Sequence, residues 1–289
     1  IIRAGMADGS YTIDMGDGTD YIQAQTNNVL DISAYTLGVD LLGLEYITDN
    51  TGSETVIGTN QADDIRIRDD ASTDSFFGLG GDDVFTFSGS VNRNDRIDGG
   101  EGTDRIVGSA GNDSLTLADF ISIEIIDFGA GTDFMQSETN GTLDISAYTL
   151  GVDLLGLDYI TDNNGSETIT GTDQDDEIRI VEDVSTDTFN GGDGDDIFRF
   201  SGDIDQNDRI DGGQGTDQLL GSSGDDSLTL HTMDSIEFID FGAGTDFIQA
   251  RSGATLDISA YTRGVDLLGL EYITDNNGSE TITGTDQDD

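Results

Sequence analysis

Aspartates that stand beside glycines are the residues of this chain best suited to chemistry, as in GGEGTDRIVGSAGNDSLTL at residues 99–117. This segment is one nine-residue pattern written twice, G-G-x-G-x-D-x-U-x, with an aspartate at the sixth place and an apolar residue, U, at the eighth. Glycines let the backbone approach closely, so carbonyl and carboxylate oxygens can face one point. Ca²⁺ accepts about six to eight oxygens in flexible geometry, whereas Mg²⁺ prefers a tighter octahedron with retained waters. With no cysteine and a single histidine, His231, zinc and copper sites are poorly supported.

Short strands must position these aspartates. Segments such as DRIVG, DSLTL, DIFRF and DEIRI alternate in polarity with period two, and turns rich in Gly, Asp and Asn separate them. About nine residues per strand and turn predict about twelve strands in each long repeat of the chain. The fold class is therefore predicted as all-β, a parallel β-roll or β-helix solenoid with Ca²⁺ ions at the turns. The eighth place predicts inward-facing residues at Val56, Ile65, Phe76, Phe85, Ile97, Ile106, Leu115, Ile126, Met135 and Leu143.

Two nonapeptides would make one turn of this coil, about 18 residues long. Aspartates separated by one such turn, such as Asp95 and Asp113, would then lie on the same edge of the coil. With insertions allowed for, Asp63, Asp83 and Asp104 would form a further ladder. Such a ladder of carboxylates is repulsive by itself, and it becomes a row of oxygen cages once divalent cations fill it.

A longer repeat encloses the nonapeptides. Copies of LDISAYT begin at Leu30, Leu143 and Leu256, at equal intervals along the chain, and residues 255–289 differ from 142–176 at only two positions. We predict one continuous β-roll over 1–289, made of a partial repeat 1–28, full repeats 29–141 and 142–254, and a partial repeat 255–289. Near-identical tandem copies are typical of surface proteins built as arrays.

The units GGEGTDRIV, GGDGDDIFR and GGQGTDQLL resemble the calcium-binding nonapeptide repeat of the RTX (repeats-in-toxin) family. The resemblance implies a β-roll with Ca²⁺ between successive turns, export by a type I secretion system and folding outside the cell. The ligands that it implies are the sixth-place aspartates: Asp20, Asp63, Asp83, Asp104, Asp113, Asp133, Asp176, Asp196, Asp217, Asp226, Asp246 and Asp289. Weaker metal candidates depart from the pattern: Asp95 and Asp208 lack the preceding glycines, and Glu54, Glu167 and Glu280 occupy the sixth place in GSET.

Charge excludes several kinds of partner. Sixty acidic residues against 11 basic ones give a formal net charge of −49, which repels nucleic acid and anionic lipid. No apolar run is long enough for insertion into a membrane. The chain stops at GTDQDD, halfway through a nonapeptide, and its first residues resume that phase. Either the chain belongs to a longer array, or copies of it meet end to end in a filament.

Catalysis is not predicted, because the residues offer neither a Ser-His-Asp group nor an HExxH motif. Carboxylate pairs such as Asp195 and Asp196 recur in every repeat, as ligands would, whereas an active site is single. A glycan could bind at Tyr35, Tyr148 and Tyr261, although we favour a role for them in packing an irregular turn. Unevenly placed threonines argue against ice binding.

The sequence thus predicts a non-enzymatic, calcium-stabilised structural repeat protein at the bacterial cell surface or outside the cell: an adhesin, a surface layer or a filament rod. The alternative is the calcium-binding RTX region of a secreted enzyme or toxin whose active domain lies outside this chain. Near-identical long repeats favour the first, since secretion tails need only a few nonapeptides.

Overall fold

A computed structural model describes residues 12–68, 70–92, 95–116, 120–181, 183–204, 207–229, 232–253, 255–276 and 278–287. Asp289 and His231 lie outside the described residues. The described residues form strands and turns and no helix, so none of their segments is a helix able to cross a membrane. The chain divides into two compact units, Ile1–Met135 with Leu150–Asp158, and Gln136–Thr149 with Tyr159–Asp289.

The first unit is a parallel β-solenoid, as predicted. Its strands are β1 (Ile13–Asp14), β2 (Tyr21–Gln23), β3 (Val29–Asp31), β4 (Leu41–Leu42), β5 (Tyr46–Thr48), β6 (Thr55–Ile57), β7 (Asp64–Arg66), β8 (Ser75–Gly80), β9 (Val84–Thr86), β10 (Ser90–Val91), β11 (Arg96–Glu101), β12 (Arg105–Val107), β13 (Ser114–Leu115), β14 (Phe120–Ile121), β15 (Ile125–Asp127), β16 (Phe134–Gln136) and, after β17 of the second unit, β18 (Leu154–Leu155). Stack A is β2-β5-β7-β9-β12-β15-β18, stack B is β3-β6-β8-β11-β14, stack C is β10-β13-β16, and β1 pairs with β4.

The second unit is a parallel β-solenoid of the same kind. Its strands are β17 (Thr142–Asp144), β19 (Tyr159–Thr161), β20 (Thr168–Thr170), β21 (Glu177–Arg179), β22 (Thr188–Asp193), β23 (Ile197–Arg199), β24 (Asp203–Ile204), β25 (Arg209–Gln214), β26 (Gln218–Leu220), β27 (Ser227–Leu228), β28 (Thr232–Asp234), β29 (Phe238–Asp240), β30 (Asp246–Gln249), β31 (Thr255–Asp257), β32 (Leu267–Leu268), β33 (Leu270–Thr274) and β34 (Thr281–Thr283). Stack D is β17-β20-β22-β25-β28, stack E is β19-β21-β23-β26-β29-β32, stack F is β24-β27-β30-β33, and β31 pairs with β34.

The inward-facing residues are confirmed. Each of the ten predicted residues is buried, with at most 4% of its surface exposed. They belong to several stacks: Val56, Phe76 and Ile97 lie in stack B, whereas Ile65, Phe85, Ile106 and Ile126 lie in stack A. Within a strand only alternate residues face inward, so the core consists of single layers of side chains stacked along the coil.

The prediction that each turn of the coil contains about 18 residues is wrong. In stack A, Ile47 pairs with Ile65, Ile65 with Phe85 and Phe85 with Ile106, so the sequence separation between partners grows from one pair to the next. Between Phe85 and Ile106 the chain forms β10 and β11, so this turn visits three stacks rather than two. The extra stacks also raise the strand number, because fourteen strands of the described residues, β3 to β16, fall within 29–141 instead of about twelve.

Candidate metal centre

The sixth-place acids lie at the starts of the strands, on the inner face. Asp83 precedes the inward Phe85 by two residues, and Asp104 precedes Ile106 in the same way. Because strand residues two apart face the same side, the acid is drawn inward together with the apolar residue. Asp20 is half-buried, and the buried predicted ligands are Asp63, Asp83, Asp104, Asp113, Asp133, Asp176, Asp196, Asp217, Asp226 and Asp246.

Backbone hydrogen bonds assemble these acids into ladders. The N–H of Asp63 donates to Oδ1 of Asp83 at 2.8 Å, and the N–H of Asp83 donates to Oδ1 of Asp104 at 2.8 Å. The predicted ladder of these three aspartates is therefore present. The second unit contains the equivalent ladder, in which Asp176 donates to Asp196 and Asp196 to Asp217, each at 2.8 Å.

Asp95 and Asp113 do not share an edge, which corrects the pairing expected from their spacing. Oδ1 of Asp95 accepts the N–H of Asp74, whereas the N–H of Asp113 donates to Oδ1 of Asp133 at 2.7 Å. Asp95 precedes a strand of stack B and Asp113 a strand of stack C. From Asp95 the chain passes through β11 of stack B and β12 of stack A, so two nonapeptides end at stack C rather than back at stack B.

One oxygen of several sixth-place aspartates is buried and finds no hydrogen-bond donor in the part of the chain that the structure describes. In Asp83, Oδ1 accepts the bond from Asp63 while Oδ2 remains without a partner. We call these residues the open aspartates, and they are Asp20, Asp83, Asp104, Asp133, Asp196, Asp217 and Asp246. A buried carboxylate oxygen without a partner is costly, so it points to a ligand.

Four open aspartates, Asp83, Asp104, Asp196 and Asp217, have a glycine at the first place, beside which a carbonyl oxygen approaches the carboxylate. A Cβ on Gly78 would overlap both Oδ2 of Asp83 and the carbonyl oxygen of Gly99 on the next turn. A Cβ on Gly191 would likewise overlap Oδ2 of Asp196 and the carbonyl oxygen of Gly212. The space kept free by each glycine thus receives two oxygens from successive turns. Carboxylate and carbonyl oxygens are the donors that Ca²⁺ prefers, so the residues present fit this ion.

The second-place residue decides whether the aspartate is open. Gly100, Gly192 and Gly213 have φ of 102°, 124° and 101°, a backbone conformation that favours glycine. Where threonine or serine stands there, it bonds to the aspartate: the N–H of Thr59 donates to Oδ2 of Asp63 at 2.6 Å. The aspartates bonded in this way by the second-place residue are Asp63, Asp113, Asp176 and Asp226. Their Oδ2 atoms are less available to a cation.

Burial raises the pKa of the aspartates in the ladders. Removal from water raises the pKa of Asp83 and of Asp196 to about 7, and neighbouring carboxylates add to the effect. Burial also raises the pKa of Asp104 and Asp217. Near neutral pH a proton and a cation therefore compete for these carboxyl groups.

The weaker candidates lie on different edges from the open aspartates. Glu54 and Asp95 are buried at the starts of strands in stack B, and Glu167 and Asp208 occupy the same places in stack D. Glu280 is partly exposed and precedes β34.

Four buried acids in the described part of the chain were not predicted as ligands. Asp74 and Asp187 lie two residues before the inward Phe76 and Phe189, so an acid two places before each inward residue was the signal that could have found them. Asp49 and Asp162 follow β5 and β19 instead, where the nonapeptide pattern gives no signal. In each unit one oxygen from each of three acids lies within 4.8 Å of the others: Asp49 with Glu54 and Asp74, and Asp162 with Glu167 and Asp187.

The tyrosines of ISAYT pack as we favoured. Tyr35 is buried, and the hydroxyl of Tyr261 donates to the carbonyl oxygen of Ile236 at 2.6 Å. Burial, with nearby Glu237 and Asp266, raises the pKa of Tyr261 to about 12.

These observations define a class of protein, a β-solenoid whose turns carry stacked oxygen sites for a hard divalent cation. The family model described as RTX calcium-binding nonapeptide repeat (4 copies) matches residues 91–117 and 205–228. In these two segments the chain therefore carries the calcium-binding nonapeptide repeats of the RTX family, and the fold is the β-roll that such repeats form. No curated protein matches the chain.

Proposed function

We propose that this chain is a structural repeat segment of an extracellular bacterial protein, an adhesin, a surface layer or a filament rod, and that Ca²⁺ at its turns makes it rigid. The open aspartates support this proposal most directly, because each aims a buried oxygen without a described partner at the turn. RTX repeats, which this chain carries, are typical of secreted proteins.

Different residues hold, orient and complete the Ca²⁺ site proposed at each open aspartate. Backbone amides of the preceding turn hold Oδ1 of six open aspartates, as Asp83 does for Asp104 at 2.8 Å, and so orient Oδ2. These six are Asp83, Asp104, Asp133, Asp196, Asp217 and Asp246. At Asp83, Asp104, Asp196 and Asp217 a first-place glycine admits the carbonyl oxygen of the next turn. A bound Ca²⁺ supplies positive charge that links the two turns. Binding to the folded chain alone stabilises it by about 2.7 kcal/mol per site at a hundredfold excess over Kd.

The even distribution of the sites favours a structural role over catalysis. Open aspartates occur in both units at equivalent places of the long repeat, Asp83 with Asp196 and Asp104 with Asp217. Identical sites in series add stiffness with length, whereas catalysis needs one site. The alternative is a calcium-binding region of a secreted enzyme or toxin. The length of the gene separates them: a long repeat array supports the first, and a short tail behind a catalytic domain the second. End-to-end association stays a prediction.

Calcium titration tests the proposal. After dialysis against chelator, we expect loss of β-sheet circular dichroism, and its return with added Ca²⁺ but not with equal Mg²⁺. Native mass spectrometry of the refolded chain should count several bound Ca²⁺ ions. A spectrum that chelator leaves unchanged, together with a chain that binds no Ca²⁺, would contradict the proposal.

A further inference from the structure

A buried group of three acids stands outside the nonapeptide sites in each unit. In the first unit, Asp49 directly follows β5, Glu54 ends the tight turn that comes next, and Asp74 lies at the place of Glu54 one coil later. Asp162, Glu167 and Asp187 repeat the arrangement in the second unit. We call these two groups the acid triads. Their six side chains are at most 3% exposed.

Backbone amides hold the first triad in position. The N–H of Asn27 donates to Oε1 of Glu54 at 2.7 Å, and the N–H of Glu54 donates to Oδ1 of Asp74 at 2.7 Å. Asp49 accepts the N–H of Arg68 at Oδ1, at 3.0 Å. These bonds fix each acid through one oxygen. Oε2 of Glu54 also accepts the N–H of Asn50 at 3.4 Å, and Oδ2 of Asp74 accepts the hydroxyl of Ser72 at 3.2 Å.

The second triad is held in the same way. Asn140 donates to Oε1 of Glu167 and Glu167 to Oδ1 of Asp187, both at 2.7 Å, and Val181 donates to Oδ1 of Asp162 at 2.6 Å. Val181 takes the place of Arg68, so the triad forms where no arginine side chain occupies this position.

Oxygens without partners mark both triads as sites for a ligand. Oδ2 of Asp49, Oδ2 of Asp162 and Oε2 of Glu167 are buried, and none has a hydrogen-bond partner among the residues described. Asp49 and Asp162 are 0% exposed and Glu167 1%, so water does not solvate them. Three adjacent carboxylates in such a place require a compensating charge.

Protonation is the alternative to a cation. Burial, with a contribution from neighbouring acids, raises the pKa of Asp49 to about 7 and that of Asp162 to about 8. A proton neutralises one carboxyl group at a time, and the ionised acids beside it still offer only acceptors that need a partner. A divalent cation would satisfy all three acids at once.

The spacing fits calcium. Ligand oxygens around Ca²⁺ lie about 2.3–2.6 Å from the ion, so two of them can be up to about 5 Å apart. The triad oxygens lie within 4.8 Å of one another. Mg²⁺ usually keeps several waters, which a fully buried site does not favour.

We propose that each acid triad, Asp49–Glu54–Asp74 and Asp162–Glu167–Asp187, binds one Ca²⁺ ion in a second class of site, distinct from the nonapeptide sites. This site uses three carboxylates and no first-place glycine. It clamps the turn between β5 and β6, or between β19 and β20, to the following coil through Asp74 or Asp187. The inference goes beyond the proposed function, and the nonapeptide sites do not depend on it.

Ion counting tests it on the full chain. Native mass spectrometry in saturating Ca²⁺ should give one ion fewer for Glu54→Gln, one fewer for Glu167→Gln and two fewer for the double variant than for the wild type. The control is Glu101→Gln, which changes the same charge at an exposed position where the second repeat already has Gln214. Glu101→Gln should keep every ion. A full count in the double variant would overturn the proposal.

Two further variants keep the test informative if Glu54→Gln or Glu167→Gln fails to fold, and they separate this inference from the proposed function. Glu54→Asp keeps the charge but shortens the side chain, so it should weaken the binding of one ion at least tenfold in a Ca²⁺ titration; an unchanged titration would overturn the proposal. Asp104→Asn should remove a nonapeptide ion and leave the triads loaded. A wild type without any Ca²⁺ would refute the proposed function, whereas triad variants with the full count would refute only this inference.

Discussion

At the scale of single residues, the first-place glycine of Asp83, Asp104, Asp196 and Asp217 keeps free the space in which the oxygens of a calcium site meet. A side chain at Gly99 would overlap the carbonyl oxygen of Ser122 and Oδ2 of Asp104, which are the two oxygens offered to the ion. The space matters here rather than the backbone conformation, because Gly99 does not have a positive φ. An added methyl group would therefore act directly on the site.

Gly99→Ala should displace these oxygens and remove one Ca²⁺ ion. Overlap with a backbone carbonyl cannot be relieved by a rotamer change, so we expect a loss of about 2–3 kcal/mol in the free energy of unfolding. Urea denaturation in saturating Ca²⁺ and ion counting measure both effects. Gly111→Ala is the matched control, because its Cβ would meet only Oγ of Ser109 at 3.4 Å. Equal losses in the two variants would contradict the role assigned to Gly99.

Leu79 is a departure at the second place. It has φ of 84°, where the equivalent Gly192 has φ of 124°. A side chain in this conformation costs about 1–2 kcal/mol, partly offset here by the half-buried leucine side chain. Leu79→Gly should therefore raise the free energy of unfolding by about 0.5–1 kcal/mol in urea denaturation. The reverse test is Gly192→Ala, which should lower it by at least about 1 kcal/mol. A less stable Leu79→Gly variant would show that its side-chain packing outweighs the strain.

At the scale of strands and turns, alternation explains why the core was predictable. Phe76, Phe85 and Ile106 were found from the eighth place, because a strand faces inward at every second residue whatever the length of the next turn. The same alternation placed Asp83 and Asp104 on the inner face.

Turn length was not predictable in the same way. A coil closes when its strands meet in register, and β10 adds a third stack that the nonapeptide spacing does not encode. Asp95 and Asp113 were therefore paired wrongly. The clustering of the acid triads was not predicted for a related reason. A turn brings Asp49 close to Glu54, and the register of the next coil brings Asp74 to the same place.

Strand β23 offers a test of this inward and outward alternation. Phe198 is 0% exposed in stack E, whereas the adjacent Arg199 points outward and contacts Glu177 at 3.1 Å. Phe198→Ala should lower the free energy of unfolding by about 3–5 kcal/mol, because it leaves a cavity in a core one side chain thick. Arg199→Ala should change it by less than about 1 kcal/mol, since an exposed ion pair contributes little. Thermal or urea unfolding in Ca²⁺ compares the two. Similar losses would mean that the strand is not oriented as described.

At the scale of the whole molecule, charge links folding to cations. The formal net charge is −49, and the buried ladders and triads concentrate part of it where water cannot screen it. Surface repulsion weakens in salt, but repulsion between buried carboxylates persists. Calcium and protons are therefore the two agents that can relieve it.

Protons should neutralise part of the buried charge when Ca²⁺ is absent. The calcium-free chain should therefore be more stable at mildly acidic pH than at pH 8. Burial raises the pKa of Asp49, Asp83, Asp187 and Asp196 to about 7 and that of Asp162 to about 8, from a usual value of 3.8. The folded chain then binds more protons than the unfolded chain between about pH 4 and 8, so its stability falls as the pH rises through this window.

We therefore expect the calcium-free chain to gain β-sheet circular dichroism and resistance to urea as the pH falls from 8 to 5. Calcium affinity should fall over the same range, because protons compete for the same oxygens. Repeating the titration at high salt, about 1 M NaCl, separates buried from surface groups, since screening over about 3 Å suppresses the surface contribution alone.

The double variant Asp162→Asn, Glu167→Gln should make the calcium-free pH profile less steep, because it removes two of the buried acids whose pKa is raised. A calcium-free chain that grows more stable toward pH 8 would show that its buried carboxylates are not the source of its instability.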